Sequence, residues 1–156
     1  MAGTPATVAL TKAGVTWTPR EYAHDPAAAS YGLEAAEAFG VAPERVFKTL
    51  VADVDGRPTV AVVPVTGQLD LKALASALGG KRSAMADPTS AERTTGYVRG
   101  GISPFGQRKA LPTVVDSSAL TFSTVLVSGG RRGFDIEVSP EDLVRLTSAH
   151  VADIAR

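Results

Sequence analysis

The 156-residue chain contains no cysteine, which removes disulfides, thiolate nucleophiles and the common zinc frameworks together. Histidine is scarce as well. His24 and His150 are the only two, and no acidic or histidine-rich cluster completes a ligand set around either, so neither a metal nor any other cofactor is expected. None of the serines stands in a nucleophile-elbow setting, which argues against a Ser-His-Asp hydrolase. Net charge is also missing: sixteen basic and sixteen acidic side chains cancel. Any nucleic-acid contact must therefore come from a local patch, and tight, sequence-blind binding to RNA or DNA is not expected. No unbroken apolar run could span a bilayer and no signal segment opens the chain, so a cytoplasmic protein without a membrane partner is expected.

What is present is a set of short, well-punctuated elements at 44% hydrophobic content, enough for a single domain over residues 1–156. Thr4-Pro5 ahead of Val8, Ala9 and Ala13, closed by Gly14, predicts a short opening helix. The β-branched and aromatic residues 15–18 predict a strand, and the alanine- and glutamate-rich residues 33–39, stopped by Gly40, a helix. Residues 46–54 are apolar on both alternating faces, as in a strand covered on both sides, and Asp55-Gly56 turns them into a second strand at 59–65. Asp70 caps a helix with Leu71, Leu74, Ala75 and Leu78 on one face, ended by Gly79-Gly80. A short strand at 82–85 leads to a helix opened by Asp87-Pro88 and closed by Gly96. A strand at 113–116, a hairpin of 121–127 with 133–138, and a last helix opened by Ser139-Pro140 follow. The expected fold is α/β of the mixed α+β kind: one domain with a curved, mixed, mostly antiparallel sheet or a partly closed barrel, flanked by short helices.

Three stretches carry candidate chemistry. In residues 99–106 the adjacent Gly100 and Gly101 let bare backbone lie against a ligand, while Pro104 biases Ser103 toward extended geometry and stiffens the turn. A fixed row of amide donors there would hold an oxyanion without a reactive side chain; the bland alternative is a tight turn between strands. If Gly101 lines such a site, alanine there should cost activity and, unless its φ is positive, little stability. Lys48 shares a strand face with Val46, Leu50 and Ala52, so it must snorkel, pair with a carboxylate or face a cleft. Ser128-Gly129-Gly130-Arg131-Arg132 offers glycine amides beside two guanidinium groups, which suits a phosphate, or else forms a solvated hairpin tip. It lacks the spacing and the lysine of a P-loop. His24 is expected as a hydrogen-bonding residue near a strand end.

Taken together, Val46-Phe47-Lys48-Thr49-Leu50, Gly96-Tyr97, residues 100–107 and residues 127–133 resemble the YbaK/EbsC family. Its typical members are free-standing deacylases of cysteinyl-tRNA(Pro), related to the editing domain inserted in bacterial prolyl-tRNA synthetases. The resemblance implies hydrolysis of a mischarged aminoacyl ester without metal or cofactor, with the substrate's own thiol as the attacking group, in a pocket between the lysine strand and the glycine turn. It matches Lys48 to the family's essential lysine and Gly101 to the glycine facing the scissile ester. Gly100 and Pro104 match the Gly-x-x-x-Pro pattern, with Ile102 and Ser103 between them on the substrate side. Tyr22, Tyr31, Thr49, Ser128 and Asp135 fall at pocket-lining positions, Tyr31 standing where the family pattern suggests phenylalanine. Arg131 and Arg132 are candidate phosphate contacts. The implied partners are aminoacyl-tRNA, with tRNA(Pro) foremost, and prolyl-tRNA synthetase. Two alternatives stay open: a deacylase for alanyl-tRNA(Pro) or another small aminoacyl-tRNA, and a non-catalytic module that binds aminoacyl-tRNA or a synthetase.

Overall fold

In chain order the elements are α1 (Pro5–Ala13), β1 (Trp17–Glu21), α2 (Tyr31–Phe39), a 3₁₀ turn (Pro43–Arg45), β2 (Phe47–Val54), β3 (Arg57–Pro64), α3 (Leu71–Ala77), β4 (Ser83–Met85), α4 (Pro88–Thr95), β5 (Thr113–Asp116), a second 3₁₀ turn (Ser117–Thr121), β6 (Val125–Arg131), β7 (Phe134–Val138), α5 (Pro140–Thr147) and β8 (His150–Ala152). The structure is a computed structural model that describes residues 3–28 and 30–156. At its centre β2 and β3 pair antiparallel around Asp55-Gly56, both at positive φ, the type I′ geometry whose twist matches that of the strands. Most of β3 is buried on both faces, as its uninterrupted apolar run requires.

Val60 and Val62 point into one core with Leu10, Phe47, Val125, Val127, Phe134, Ile136 and Leu143. Ala61 and Val63 point the opposite way, onto Leu74 and Ala75 of α3. A third, smaller cluster seats Ala35 and Ala36 of α2 on Val46 and Leu126.

The expected mixed α/β domain of strands flanked by short helices forms, but in two sheets and without closure into a barrel. The strands divide into a five-stranded sheet, β4-β2-β3-β5-β8, and a three-stranded sheet, β1-β7-β6. These touch through one parallel bridge, Val46 to Leu126. The ladder between β2 and β6 stops there, and a register shift between Ser128 and Arg131 bends β6 further, whereas closure needs a continuous ladder. Two pairings, β3 with β5 and β5 with β8, are parallel. β8 lies beyond the last expected element, and the strand expected from residue 121 starts at Val125 because Asp116 caps the 3₁₀ turn before it. The first strand sits at Trp17–Glu21, two residues later than expected, paired along β7.

Candidate active site

Residues 98–101 form a β-turn in which the Gly101 N–H donates to the Val98 carbonyl at 2.9 Å. Gly100 takes φ +82°, the third-position geometry of a type II turn and the reason glycine is needed there. The neighbouring Arg99 N–H is also engaged, donating to Glu92 Oε2 of α4 at 2.8 Å. Among the hydrogen bonds of the described residues, the N–H groups of Gly100, Ile102 and Ser103 have no acceptor. Ser103 and Pro104 are buried, and the Ser103 carbonyl accepts from Gln107 Nε2 at 2.9 Å, so the turn is anchored from behind. Tyr97, also buried, donates its hydroxyl to the Phe105 carbonyl at 2.5 Å, and burial pushes its pKa up to about 12.

The turn is packed against the β6–β7 hairpin tip. A Cβ placed on Gly101 would lie 2.8 Å from the Arg131 Cα and 3.1 Å from the Arg132 nitrogen. One on Gly100 would lie 2.8 Å from the Tyr31 ring. Two bare main chains thus meet at Gly101, and the space its missing side chain leaves is taken by protein backbone. Arg132 locks the contact: its Nε donates to the Arg99 carbonyl at 2.8 Å while its guanidinium lies 5.2 Å from the Tyr31 ring centroid. Arg131 pairs with Glu21 at 3.0 Å and stacks on Phe134.

Tyr31 opens α2 and is bordered by His24, with ring centroids 5.1 Å apart. His24 Nδ1 lies 2.8 Å from Glu34 Oε1, and Glu34 also accepts from the Asp25 N–H, an amide bond that with His24 holds its carboxyl below the usual range. Sequence reasoning gave His24 a hydrogen-bonding role but missed Glu34, whose pairing with a residue ten positions upstream has no local spacing signature. It missed Glu92 for the same reason. Tyr22 donates to the Tyr31 carbonyl at 3.4 Å, and burial together with Asp135 and Glu34 raises its pKa to about 12.

Asp135 faces Ser128 across β6–β7 and Arg20 across β1–β7. It is 8% exposed and takes no side-chain hydrogen bond among the described residues, and desolvation pushes its pKa up to about 7. Lys48 and Ser128 each sit two positions past the Val46–Leu126 bridge, where the sheets part. Lys48 is half-buried and forms no ion pair among the described residues. Beside it, Thr49 is 8% exposed and its Oγ1 is the one buried side-chain polar atom without a partner among the described residues. A hydroxyl left unpaired in a folded core is costly unless a ligand completes it. Contacts thus join Tyr22, Tyr31, Gly100, Gly101, Arg131 and Arg132, register joins Ser128 and Asp135, and Lys48 and Thr49 lie on β2 just past the Val46–Leu126 bridge.

The family model of the aminoacyl-tRNA editing domain matches residues 25–146, a span that holds Lys48, the glycine turn, the hairpin tip and Asp135. The chain belongs to this family. Among editing-domain proteins it is 44% identical over 120 residues to EbsC of Enterococcus faecalis, assigned as a Cys-tRNA(Pro)/Cys-tRNA(Cys) deacylase, covering 76% of this chain and 73% of that one. It is 28% identical over 114 residues to the multifunctional Ser/Thr-tRNA deacylase ProXp-y of Escherichia coli, covering 70% and 68%. Among solved structures, the hypothetical protein APE2540 superposes with a TM-score of 0.88 at 27% identity, covering 98% of this chain and all of that one. A protein assigned as a trans-editing enzyme for prolyl tRNA synthetase superposes with a TM-score of 0.82 at 28% identity, covering 97% and 95%. The mixed α/β architecture is that of the editing domain. Among the described residues no helix is long and apolar enough to cross a membrane.

Proposed function

We propose that this protein is an aminoacyl-tRNA deacylase that hydrolyses mischarged cysteinyl-tRNA(Pro) in trans, in the cytoplasm and alongside prolyl-tRNA synthetase. The carrying observation is the 44% identity to a Cys-tRNA(Pro)/Cys-tRNA(Cys) deacylase across most of the chain. The geometry supports the same reading. A protein without cysteine whose better-placed histidine is tied to Glu34 has little to offer as a nucleophile, but it does offer main-chain donors on a stiff turn.

In this reading the substrate's thiol sulfur attacks its own ester carbonyl, the bond from the carbonyl carbon to the ribose oxygen breaks, and the thiol proton passes to that oxygen; water then opens the resulting thiolactone at its C–S bond, releasing cysteine with its thiol restored. Gly100 and Ile102, the partly exposed residues of the turn, donate N–H groups to the carbonyl oxygen as it gains charge. Gly101, its own N–H spent on Val98, lets turn and hairpin tip approach closely enough to hold those donors still. Lys48 supplies the positive charge for the 3′-terminal phosphate or the leaving ribose. Thr49, Ser128 and Asp135 line the aminoacyl side, with Tyr22 and Tyr31 as its aromatic wall.

A second reading, a deacylase for seryl or threonyl esters or other small residues such as alanine, draws on ProXp-y and on the unpartnered Thr49 hydroxyl, which would suit a polar side chain. Single-turnover deacylation of cysteinyl-, alanyl- and seryl-tRNA(Pro) separates them. Cysteinyl ester hydrolysed at least tenfold faster supports the first reading; equal rates on alanyl ester would show that no thiol is needed. Binding without hydrolysis of any of the three would make the protein a non-catalytic module.

A further inference from the structure

The sixteen positive and sixteen negative side chains cancel over the whole chain, but not locally. Residues 93–115 contain four basic side chains and no acidic one. Arg93, Arg99, Arg108 and Lys109 are all exposed. Tertiary contacts gather this segment beside the glycine turn: the Arg108 guanidinium donates to the Arg93 carbonyl at 3.2 Å and its Cβ packs at Gly96, while Arg132 Nε donates to the Arg99 carbonyl. The two arginines of the hairpin tip thereby join the same surface.

Of these six cations only Arg131 has a carboxylate partner among the described residues, Glu21. The other ion pairs use Glu137, Glu34 and Asp142. Glu92, the acidic residue adjacent to Arg93 in sequence, accepts from the Arg99 N–H at 2.8 Å. Exposed cations left unpaired on an otherwise neutral protein produce a local positive potential suited to a row of phosphates.

We propose that the C-terminal end of α4, together with Arg108 and Lys109, binds the sugar-phosphate backbone of an RNA duplex that continues from the 3′ end held at the glycine turn. The inference rests on the aminoacyl-tRNA reading above and adds to it a duplex contact separate from the ester site. Backbone contacts fix position and carry no base sequence, so this surface accepts the stem of any tRNA and leaves selection to the pocket and to a partner.

The test is binding of an uncharged RNA minihelix ending in a single-stranded CCA, by fluorescence anisotropy from 50 to 200 mM KCl, for wild type and for R93Q/R108Q/K109Q. Hydrolysis of a cysteinyl-CCA trinucleotide ester is measured in parallel. Wild type should show a steep negative salt slope, and the variant a slope shallower by about 2 to 3, with binding at low salt weaker by roughly tenfold or more. Trinucleotide hydrolysis should stay at the wild-type rate. Because Arg108 also caps α4, R93Q/K109Q keeps that bond and must show the same change at about two-thirds of the size, with an unaltered melting temperature. An unchanged salt slope in both variants, or a loss of trinucleotide hydrolysis as large as the loss of minihelix binding, would overturn the duplex surface. Failure of wild type to hydrolyse the trinucleotide ester would count against the deacylase reading alone, since the binding arm reads the surface independently.

Discussion

Lys48 holds no carboxylate among the described residues and is only half-buried, so its removal strands no buried charge. Lys48→Ala should therefore fold and melt near the wild-type temperature while losing nearly all deacylation. Near-normal turnover would take Lys48 out of the site. Gly101 differs, because its missing Cβ is matched by the backbone of Arg131, 2.8 Å away, and not by open space. The expectation that alanine there would spare stability is revised: a backbone neighbour cannot step aside as a side-chain tip can. Gly101→Ala should lower the single-turnover rate by roughly 10²-fold or more and the melting temperature by several degrees, both read on one sample. Loss of neither would reduce the turn to a simple connection. Asp135 brings a pH dependence of definite sign. Burial raises its folded pKa from 3.8 to about 7, so between those values the folded protein keeps a proton that the unfolded chain has released. Its contribution to stability falls as pH rises through that window, by at most about 4 kcal/mol. Asp135→Asn should gain stability relative to wild type from pH 4 to pH 8, and a flat difference across that range would show that Asp135 is already ionised in the fold.

At the scale of elements, the C-terminal strand depends on one carboxylate. Asp116 ends β5, is 6% exposed, caps the 3₁₀ turn through Ser118, and accepts the Ile154 and Ala155 N–H groups at 2.9 and 3.0 Å. Asp116→Ala leaves those donors without an acceptor and should cost roughly 2 to 4 kcal/mol, with hydrogen exchange speeding up across residues 150–155. It touches none of the candidate site residues, so activity per folded molecule should hold. Retained protection in the variant would mean that β8 is secured by its pairing with β5 alone. The glycine turn shows the opposite economy: α4 supplies Glu92, β6–β7 supplies Arg132, and α2 supplies Tyr31, so three elements converge on four residues.

For the whole molecule, the two sheets part at the Val46–Leu126 bridge, with Lys48 on β2 and Ser128 on β6 each two residues beyond it, and Asp135 paired to Ser128. A closed barrel would have filled that gap with ladder hydrogen bonds. The proposed chemistry there draws its nucleophile from the substrate and its charge stabilisation from amides and Lys48. Incubation with EDTA should accordingly leave turnover unchanged, and loss of activity restored by zinc or magnesium would overturn the mechanism.

The elements legible in the sequence are those whose decisive contacts are short-range. Thr4, Asp70, Asp87 and Ser139 each cap a helix by accepting an N–H three residues on, and Asp55-Gly56 sets its hairpin through the φ values of two adjacent residues. The continuous apolar run through β3 likewise announces burial on both faces, while β2 buries Phe47, Thr49 and Val51 on one face and is only partly buried on the face that carries Lys48. Tertiary structure alone decided the rest. Alternation tells which residues share a face but not which strand lies alongside, so the parallel places of β5 and β8 and the split into two sheets are settled by contacts far apart in sequence. Glu34 and Glu92 gain their roles only where the folded chain brings an imidazole and a backbone amide to them. A pair of glycines reads the same whether bare backbone makes room for a ligand or for another strand; at Gly101 the fold chose the strand, because the Arg131 main chain packs where a side chain would have been.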